Sequence, residues 1–211
     1  MSAQNSREKI LEKIKKALEN PTPLPFPGIG GNEPVFQPLN PEAAVEFAER
    51  FTQLQGRFIY CIDERELASS MTNLVRNMLW DKVYCLDEKL IEMLRFNGYS
   101  FFSDTTLKDC DVSITGCECN VARTGSVVLS AADPGGRTAS VYAPVHICIA
   151  YTHQLVADIE DAFRLLNNKY GNEFPSLISF ATGPSRTADI EKTLVVGVHG
   201  PGEVYLLLVE G

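Results

Sequence analysis

The residues with the clearest chemistry lie in the segment ATGPSRTADIE, residues 181–191. An apolar strand is predicted to run into Gly183, and a short helix is predicted to begin near Ser185. The first turn of a helix presents unpaired N–H groups and a partial positive charge. This junction of strand, glycine and helix therefore predicts a binding site for a carboxylate or a phosphate.

Polar side chains of the same segment would complete such a site. The guanidinium group of Arg186 offers several charged hydrogen-bond donors, and the hydroxyls of Ser185 and Thr187 offer further hydrogen bonds. The alternative is that Ser185 only caps the helix and that Arg186 pairs with Asp189 or Glu191. Local sequence leaves both interpretations open.

Two other turns contain candidate residues. The sequence RTGS at 123–126 precedes an apolar strand, and Gly125 permits either a ligand close to the backbone or a plain hairpin turn. His199 and Gly200 follow another apolar strand, where the imidazole would act as a base or an anion partner near neutral pH or play a purely structural part. His146, inside an apolar run, is predicted to be a core histidine.

The cysteines are the only candidates for a metal site. Three of the six, Cys110, Cys117 and Cys119, are close in sequence, but they form one C-x-C pair and a distant third thiol. Zinc and iron–sulfur sites usually use paired C-x-x-C units, because that spacing turns two sulfurs towards one ion. We therefore predict that this chain itself binds no metal or other cofactor, and that its cysteines stay reduced.

The elements that must position these residues alternate between helices and strands. Strands are predicted at 57–62, 82–86, 99–103, 110–115, 126–131, 139–143, 145–151, 177–182, 194–199 and 204–209. Helices are predicted at 41–55, 63–80, 87–97 and 153–170. Alternation of this kind, with nearly continuous apolar strands, is typical of a parallel sheet covered on both faces. The predicted fold class is α/β, as a three-layer α/β/α sandwich.

The first forty residues differ from the rest. Apolar side chains recur at helical spacing over 6–19, and the stretch 21–41 contains seven prolines. The predicted organisation is an amphipathic helical arm at 1–20, a proline-rich linker at 21–40 and an α/β domain at 41–211. The arm is predicted to mediate homo-oligomer formation or partner docking, the alternative being that it folds back on its own domain.

Composition narrows the choice of partners. The chain has 211 residues and a net charge of -8, which disfavours binding to the phosphate backbone of nucleic acids. No stretch approaches the roughly 20 apolar residues of a membrane span, and the first residues lack the apolar core of a signal peptide. We therefore expect a cytoplasmic protein.

Several blocks resemble the LutC/YkgG family, whose members contain a LUD domain. The most specific is TGPSRTADIEKTLVVGVHGP at 182–201, and TGSVVL at 124–129, Gly136-Arg137 and PVHICIA at 144–150 precede it in the family's order. The resemblance covers about the C-terminal half of the chain. It implies a fold similar to the NagB/RpiA/CoA-transferase group.

The resemblance also implies a function. The chain is expected to be an accessory subunit of a bacterial system that oxidises L-lactate to pyruvate, in which LutA-like and LutB-like partners carry the iron–sulfur clusters. A small carboxylate or phosphate is the expected ligand. The candidate ligand-binding positions are Arg123, Thr124, Gly125, Ser126, Gly183, Ser185, Arg186, Thr187, Asp189, His199 and Gly200.

One position departs from the family pattern. Many relatives have an acidic residue where this chain has Arg123, so a cation replaces a potential carboxylate base and favours anion binding there. Glu118 is the closest substitute for that base. The alternative function is a stand-alone enzyme or sensor of the same fold, binding a phosphosugar, a CoA ester or a folate-like ligand.

Overall fold

The computed structural model describes residues 3–19, 42–135, 137–188 and 194–211. The chain divides into two units, Met1–Gln37 and Pro38–Gly211. The first contains helix α1 (Ala3–Leu18), as the apolar spacing of the arm predicts. The proline-rich linker predicted at 21–40 lies outside the described residues.

The second unit alternates helices and strands, as predicted. In chain order its elements are α2 (Ala43–Gln53), β1 (Arg57–Cys61), α3 (Glu64–Met78), β2 (Val83–Cys85), α4 (Glu88–Phe96), β3 (Val112–Thr115), β4 (Cys119–Val121), β5 (Ser126–Ser130), α5 (Ala139–Tyr142), β6 (Val145–Tyr151), β7 (Leu155–Val156), α6 (Ile159–Tyr170), β8 (Ile178–Ala181), β9 (Arg186–Ala188), β10 (Leu194–Val196) and β11 (Glu203–Val209). In the described part of the chain, no helix has both the length and the apolar character that crossing a membrane requires.

Five strands form a parallel central sheet in the order β1-β11-β6-β3-β2. The two long inner strands, β6 and β11, are buried along almost their whole length. Side chains alternate between the faces, so that Tyr205 and Leu207 of β11 enter one core cluster while Leu206 and Leu208 enter another. The prediction of a parallel sheet covered on both faces is confirmed.

Different layers cover the two faces. Helices α3 and α4 pack on one face, through side chains such as Met71 and Leu94. Helix α2, through Phe47 and Phe51, covers the other face together with a second sheet of order β7-β4-β5-β8. Helix α6 then packs on the far side of that second sheet. The predicted α/β class is confirmed, and the second sheet is an addition that the sequence pattern did not predict.

Two predicted strands are wrong. Residues 99–103 form no strand, because Tyr99 is buried with its ring against Phe101 and Phe102, and these aromatic side chains pack into the core without a strand partner. Residues 139–142 form the short helix α5 instead, whose first turn closes through N–H groups that donate to the carbonyl of Thr138. Apolar content alone does not distinguish a strand from a short helix or from an irregular segment packed into the core.

The helix predicted at 153–170 is shorter than expected. Residues Thr152–Gln154 form a 3₁₀ turn, and β7 then pairs with β4 in the second sheet. The helix α6 begins only after Asp158, whose side chain accepts hydrogen bonds at the start of the helix as an N-cap. The strands β4 and β7, of three and two residues, are too short to show the alternation of apolar and polar residues from which a strand is predicted.

Candidate functional site

The segment predicted to bind an anion forms a hairpin instead of a helix. Strand β8 ends at Ala181, and β9 then pairs with β10 in an antiparallel two-stranded sheet. The Ser185 N–H donates to Pro201 O at 2.9 Å, and Ser185 O accepts from the Gly197 N–H at 2.9 Å. The helix predicted from Ser185 is therefore wrong, since β-branched residues such as Thr187 and Val195 pair here as strands. No helix N-terminus is present at Ser185 to attract an anion.

The turn around Gly125 lies beside the start of this hairpin. Strands β5 and β8 pair so that Val127 lies opposite Ala181. A chain of hydroxyls joins the two segments, with 2.7 Å between Thr124 Oγ1 and Ser126 Oγ and 2.9 Å between Ser126 Oγ and Thr182 Oγ1. Two segments that are more than fifty positions apart in sequence thus meet at one place.

Both arginines expected at an anion site have partners within the protein. The Nε of Arg123 lies 2.8 Å from Asp158 Oδ2, in an ion pair of which both side chains are largely buried. The exposed Arg186 donates through Nη2 to the carbonyl oxygen of Leu54. The cations predicted to contact the ligand are therefore held by a carboxylate and a backbone carbonyl.

The glycines of the two segments pack against the end of α2. Gly125 has a φ of +62°, and a Cβ at this position would lie 2.7 Å from the backbone nitrogen of Phe51. Gly183, with a φ of +80°, would bring a Cβ to 2.6 Å from Leu54 O. These two positions need glycine because the turns approach the helix backbone closely.

A cavity of about 340 Å³ lies beside the hairpin, at the amino ends of β6 and β11. We call it the amino-edge cavity. An adjoining hollow of about 490 Å³ shares Val141, His199 and Gly200 with it. Of the predicted positions, Gly183, Ser185, His199 and Gly200 line the amino-edge cavity. Its polar side chains are those of Ser140, His146, Ser179, Thr182, Ser185 and His199.

Other predicted positions lie outside the lining. Thr124 and Ser126 reach the cavity only through the hydroxyl of Thr182. Thr187 pairs with Val195 in the hairpin. Asp189 lies outside the described residues. Among the described residues, no lysine, arginine, aspartate or glutamate lines the amino-edge cavity.

His146 forms part of the cavity floor. It is almost completely buried, as predicted for a core histidine, and its Nε2 lies 2.8 Å from Thr115 Oγ1. Burial lowers the pKa of His146 to about 4, so the imidazole is neutral at physiological pH. The cavity therefore offers hydroxyls and neutral or exposed imidazoles in place of fixed positive charge.

Sequence reasoning missed Ser140, Ser179 and Thr182 as lining residues. Ser140 lies on α5, which was predicted as a strand, and Ser179 lies on β8. Thr182 is the first residue of the family-like block at 182–201, and this was the one signal that pointed to it. The other two are brought to the cavity by pairings that local sequence does not reveal.

Glu118 does not take the role of a base. Its carboxylate is fully buried and accepts hydrogen bonds from Ser130, Lys169 and Tyr170. Burial by itself raises the pKa of Glu118, but these donors and the charge of Lys169 outweigh burial, and the pKa lies below its ordinary value. A carboxylate held in this way joins α6 to the second sheet and stays ionised.

The three clustered cysteines do not form one group. Cys110 donates to Leu107 O, Cys119 is buried against α6, and Cys117 accepts a hydrogen bond from Asn120. Among the described residues, no group of three or more histidine, cysteine or acidic side chains is placed to hold a metal ion.

A second hollow, of about 350 Å³, lies at the carboxyl ends of the central strands. We call it the carboxyl-edge hollow. Its charged side chains are Glu64, Asp87, Lys89 and Asp133, with Tyr151 donating to Glu64 Oε1 at 3.0 Å. The two hollows differ in composition, and only the amino-edge cavity contains the residues of the family-like block.

Comparison with known proteins gives the chain a family. The LUD domain family matches residues 104–209, half of the chain. Lactate utilization protein C of Halalkalibacterium halodurans is 38% identical over 105 residues, which are 49% of this chain and 46% of that protein. Lactate utilization protein C of Bacillus subtilis is 36% identical over 104 residues, 48% of this chain and 43% of its own length. An uncharacterized protein of Neisseria meningitidis serogroup B is 33% identical over 99 residues, 47% of this chain and 42% of that protein.

The matches to these relatives thus span less than half of each relative's length. Among solved structures, a DUF162 family protein from Deinococcus radiodurans superposes with a TM-score of 0.57 at 18% identity, over 82% of this chain and 99% of that one. This likeness shows the fold. The domain match, together with the relatives named above, shows that the chain belongs to the LUD domain family and is LutC-like.

Proposed function

We propose that this chain is a LutC-like subunit of a system that oxidises L-lactate, and that its amino-edge cavity binds a small carboxylate. One observation carries the proposal. Every residue that lines the amino-edge cavity falls within the LUD match at 104–209, whereas Glu64, Asp87 and Lys89 of the carboxyl-edge hollow fall outside it. The part of the chain shared with the family therefore builds this cavity by itself.

The chemistry of the lining favours a small hydroxy or keto acid. Hydroxyls such as Ser185 and Thr182 donate and accept hydrogen bonds, and His199 supplies an exposed imidazole. A doubly charged phosphate is usually bound by arginine or lysine side chains, but Arg123 pairs with Asp158 and Arg186 donates to the carbonyl oxygen of Leu54. A carboxylate of single charge suits a neutral, hydroxyl-rich cavity better.

The electron transfer would take place on other chains. In this proposal the LutA-like and LutB-like partners carry the iron–sulfur clusters, and the present chain binds no cofactor. Its part is to hold or orient the carboxylate. The names of the relatives in Bacillus subtilis and Halalkalibacterium halodurans support a role in lactate utilization.

Reconstitution tests this proposal. The chain would be mixed with LutA-like and LutB-like chains from the same genome, and L-lactate oxidation would be followed with an artificial electron acceptor. We expect oxidation in the complete mixture and little when this chain is left out. Turnover of lactate by this chain alone, or full activity without it, would contradict the proposal.

Substitutions in the lining of the amino-edge cavity test, in the same assay, whether this cavity takes part in lactate oxidation. The double change Ser185→Ala and His199→Ala should lower activity of the mixture by at least about tenfold, because it removes two polar groups from the lining. Ser69→Ala, on the exposed side of α3, is the matched control and should have no effect. Equal activity of all three proteins would show that the cavity takes no part in the reaction.

The alternative, a stand-alone enzyme or sensor, is favoured by one observation: polar side chains suited to hold a small ligand line the amino-edge cavity of this chain. Thermal shift against lactate, pyruvate, inorganic phosphate and a phosphosugar separates the two ideas. A ligand present at one hundred times its Kd stabilises the folded state by about 2.7 kcal/mol. A shift with the phosphosugar alone would favour the stand-alone reading over a lactate system.

A further inference from the structure

Helix α1 exposes its large apolar side chains between Ile10 and Leu18. Ile10 and Ile14 are 59% and 49% exposed, and Leu11 and Leu18 are 46% and 69% exposed. Helix α2 is shorter, with 11 residues, yet it buries Phe47 and Phe51 completely. The large apolar side chains of α1 are therefore available for contact with a binding partner.

The charged residues of α1 are arranged around this apolar side in a definite way. At about 100° per residue, the apolar side chains between Ile10 and Leu18 fall within a sector about 120° wide. Lys13 lies about 40° beyond one edge of the sector and Lys15 about 40° beyond the other. The three glutamates of this segment lie about 60° to 100° beyond the edge that Lys15 borders, and Arg7 falls within the sector. Lysines are thus the charged residues nearest to both edges of the sector, and the glutamates lie farther round on the polar side.

This arrangement suits an interface between water and lipid. Lysine has a long apolar stem, so a lysine at the border buries its stem while its ammonium group reaches upwards to a phosphate headgroup. Helices with an apolar face, a lysine-rich border and low overall hydrophobicity lie in the plane of the membrane surface. Glutamates, which an anionic surface repels, are placed where they would face water.

The charge of α1 differs in sign from that of the rest of the chain. Residues 7–19 contain five basic and three acidic residues, a net charge of +2 against -8 for the whole chain, which leaves -10 elsewhere. An anionic surface would therefore attract α1 and repel the remainder. Residues 20–41 lie between α1 and the other unit in sequence.

A second copy of α1 fits the pattern less well. A stable coiled coil needs a heptad pattern sustained over about three to four heptads, but α1 has 16 residues. Arg7 also falls on the same side as the apolar residues, where it would interrupt a helix–helix seam but would reach a headgroup with ease.

We propose that α1 binds reversibly to anionic lipid bilayers, lying flat on the surface. This goes beyond the proposed role in lactate oxidation and does not depend on it. Binding should be selective for anionic lipid and sensitive to salt, since each lysine close to an anionic surface strengthens binding about fivefold.

Vesicle flotation with the full-length chain tests the proposal. The probes are vesicles of phosphatidylcholine alone and vesicles of phosphatidylcholine and phosphatidylglycerol in equal parts, each at low and high salt. We expect flotation with the mixed vesicles at low salt, and at least about tenfold weaker binding with phosphatidylcholine or at high salt. Equal binding to both vesicles, or binding to neither, would overturn the proposal.

Two double variants of equal charge complete the design. Lys13→Glu with Lys15→Glu should weaken flotation by more than about a hundredfold. Lys82→Glu with Lys108→Glu changes the net charge by the same amount, on exposed positions of the other unit, and should leave flotation unchanged. Equal loss in both variants would overturn a specific role of α1.

Sedimentation without lipid tests whether α1 instead associates with a second copy of the chain. If the chain forms an oligomer that Ile14→Asp disperses, and vesicles do not bind it, then self-association replaces lipid binding as the role of α1. Because the substituted side chains on α1 and on the other unit are exposed, all of these variants should keep the melting temperature of the parent, which would confirm that the domain is intact.

Discussion

The amino-edge cavity and the carboxyl-edge hollow are almost equal in volume, about 340 and 350 Å³, but opposite in chemistry. The first offers hydroxyls and imidazoles, and the second offers several carboxylates. In parallel α/β sheets, ligands usually bind beyond the carboxyl ends of the strands. Here the residues shared with the LUD family build the cavity at the other edge, so the two hollows are compared by the chemistry of their linings and not by their place in the fold.

The charges of the carboxyl-edge hollow would repel an anion. Burial raises the pKa of Tyr151 to about 12, and its hydrogen bond to Glu64 adds to this. Burial also raises the pKa of Asp133, and the nearby charge of Glu118 contributes. Tyr151 therefore stays neutral at pH 7, and the repulsion comes from the three carboxylates of the hollow, which outnumber its one lysine; no acidic side chain lies among the described lining residues at the amino edge.

The largest effect that we predict comes from Gly125, at the turn that supports the amino-edge region. Gly125→Ala should lower the free energy of unfolding by about 4 kcal/mol, because it adds left-handed strain and a contact with the Phe51 backbone. Urea denaturation measures this loss in the free energy of unfolding. Gly98→Ala is the control: φ is +94° but no atom lies within 4 Å, and a loss of about 1 kcal/mol is expected. Equal losses would show that the turn does not pack as described.

His146 should make the amino-edge region sensitive to acid. Its folded pKa of about 4 lies below the ordinary value of 6.5, so the unfolded chain takes up the proton first as pH falls. Stability from this residue is complete above pH 6.5 and should decline by about 3 kcal/mol towards pH 4. Denaturation of wild type and His146→Gln across this range measures the difference. An NMR titration midpoint near 6.5 for His146 would contradict the buried, neutral imidazole.

Glu118 provides the matching test near the carboxyl edge. Glu118→Gln should lower the free energy of unfolding at pH 7 by about 2 kcal/mol, a figure reduced for the half-exposed Lys169. Because the folded pKa lies below the ordinary 4.5, this contribution is present above that pH and is lost as pH falls through the folded value. Glu160→Gln removes an exposed pair with Arg164 and should cost less than about 0.5 kcal/mol. A cost as small for Glu118→Gln would refute its structural role.

Two tyrosines give the smallest effects, with opposite signs. Tyr151→Phe removes the hydrogen bond to Glu64 in the carboxyl-edge hollow and should cost about 1 kcal/mol. Tyr99→Phe removes a buried hydroxyl that has no partner among the described residues and should stabilise the protein by up to about 1 kcal/mol. Thermal denaturation of both variants checks the signs. A destabilising Tyr99→Phe would indicate an undetected partner for that hydroxyl.

The parallel sheet was predictable because β6 and β11 are apolar almost throughout, and only strands covered on both faces tolerate that composition. Helices α3 and α4 were predictable from their apolar spacing and from Asp63 and Asp87, whose side chains cap them. The hairpin of β9 and β10 was not. Proline followed by serine and acidic residues is a typical helix start, and only the long-range partner strand decides otherwise.

The site was predictable as a set of segments but not as a set of contacts. The family-like block contains Gly183, Ser185, His199 and Gly200, and all four line the amino-edge cavity. The partners of the arginines could not be read from the sequence, because Leu54 is 132 positions from Arg186 and Asp158 is 35 positions from Arg123. Local patterns cannot weigh an interaction that only the folded chain creates.

Isothermal titration of the purified chain with L-lactate, in wild type and two variants, shows which hollow binds the carboxylate. We expect that Ser185→Ala with His199→Ala weakens binding by at least about tenfold, whereas Glu64→Gln at the carboxyl edge leaves it unchanged. Loss of binding in Glu64→Gln, with full binding in the amino-edge variant, would place the carboxylate in the other hollow and refute binding in the amino-edge cavity.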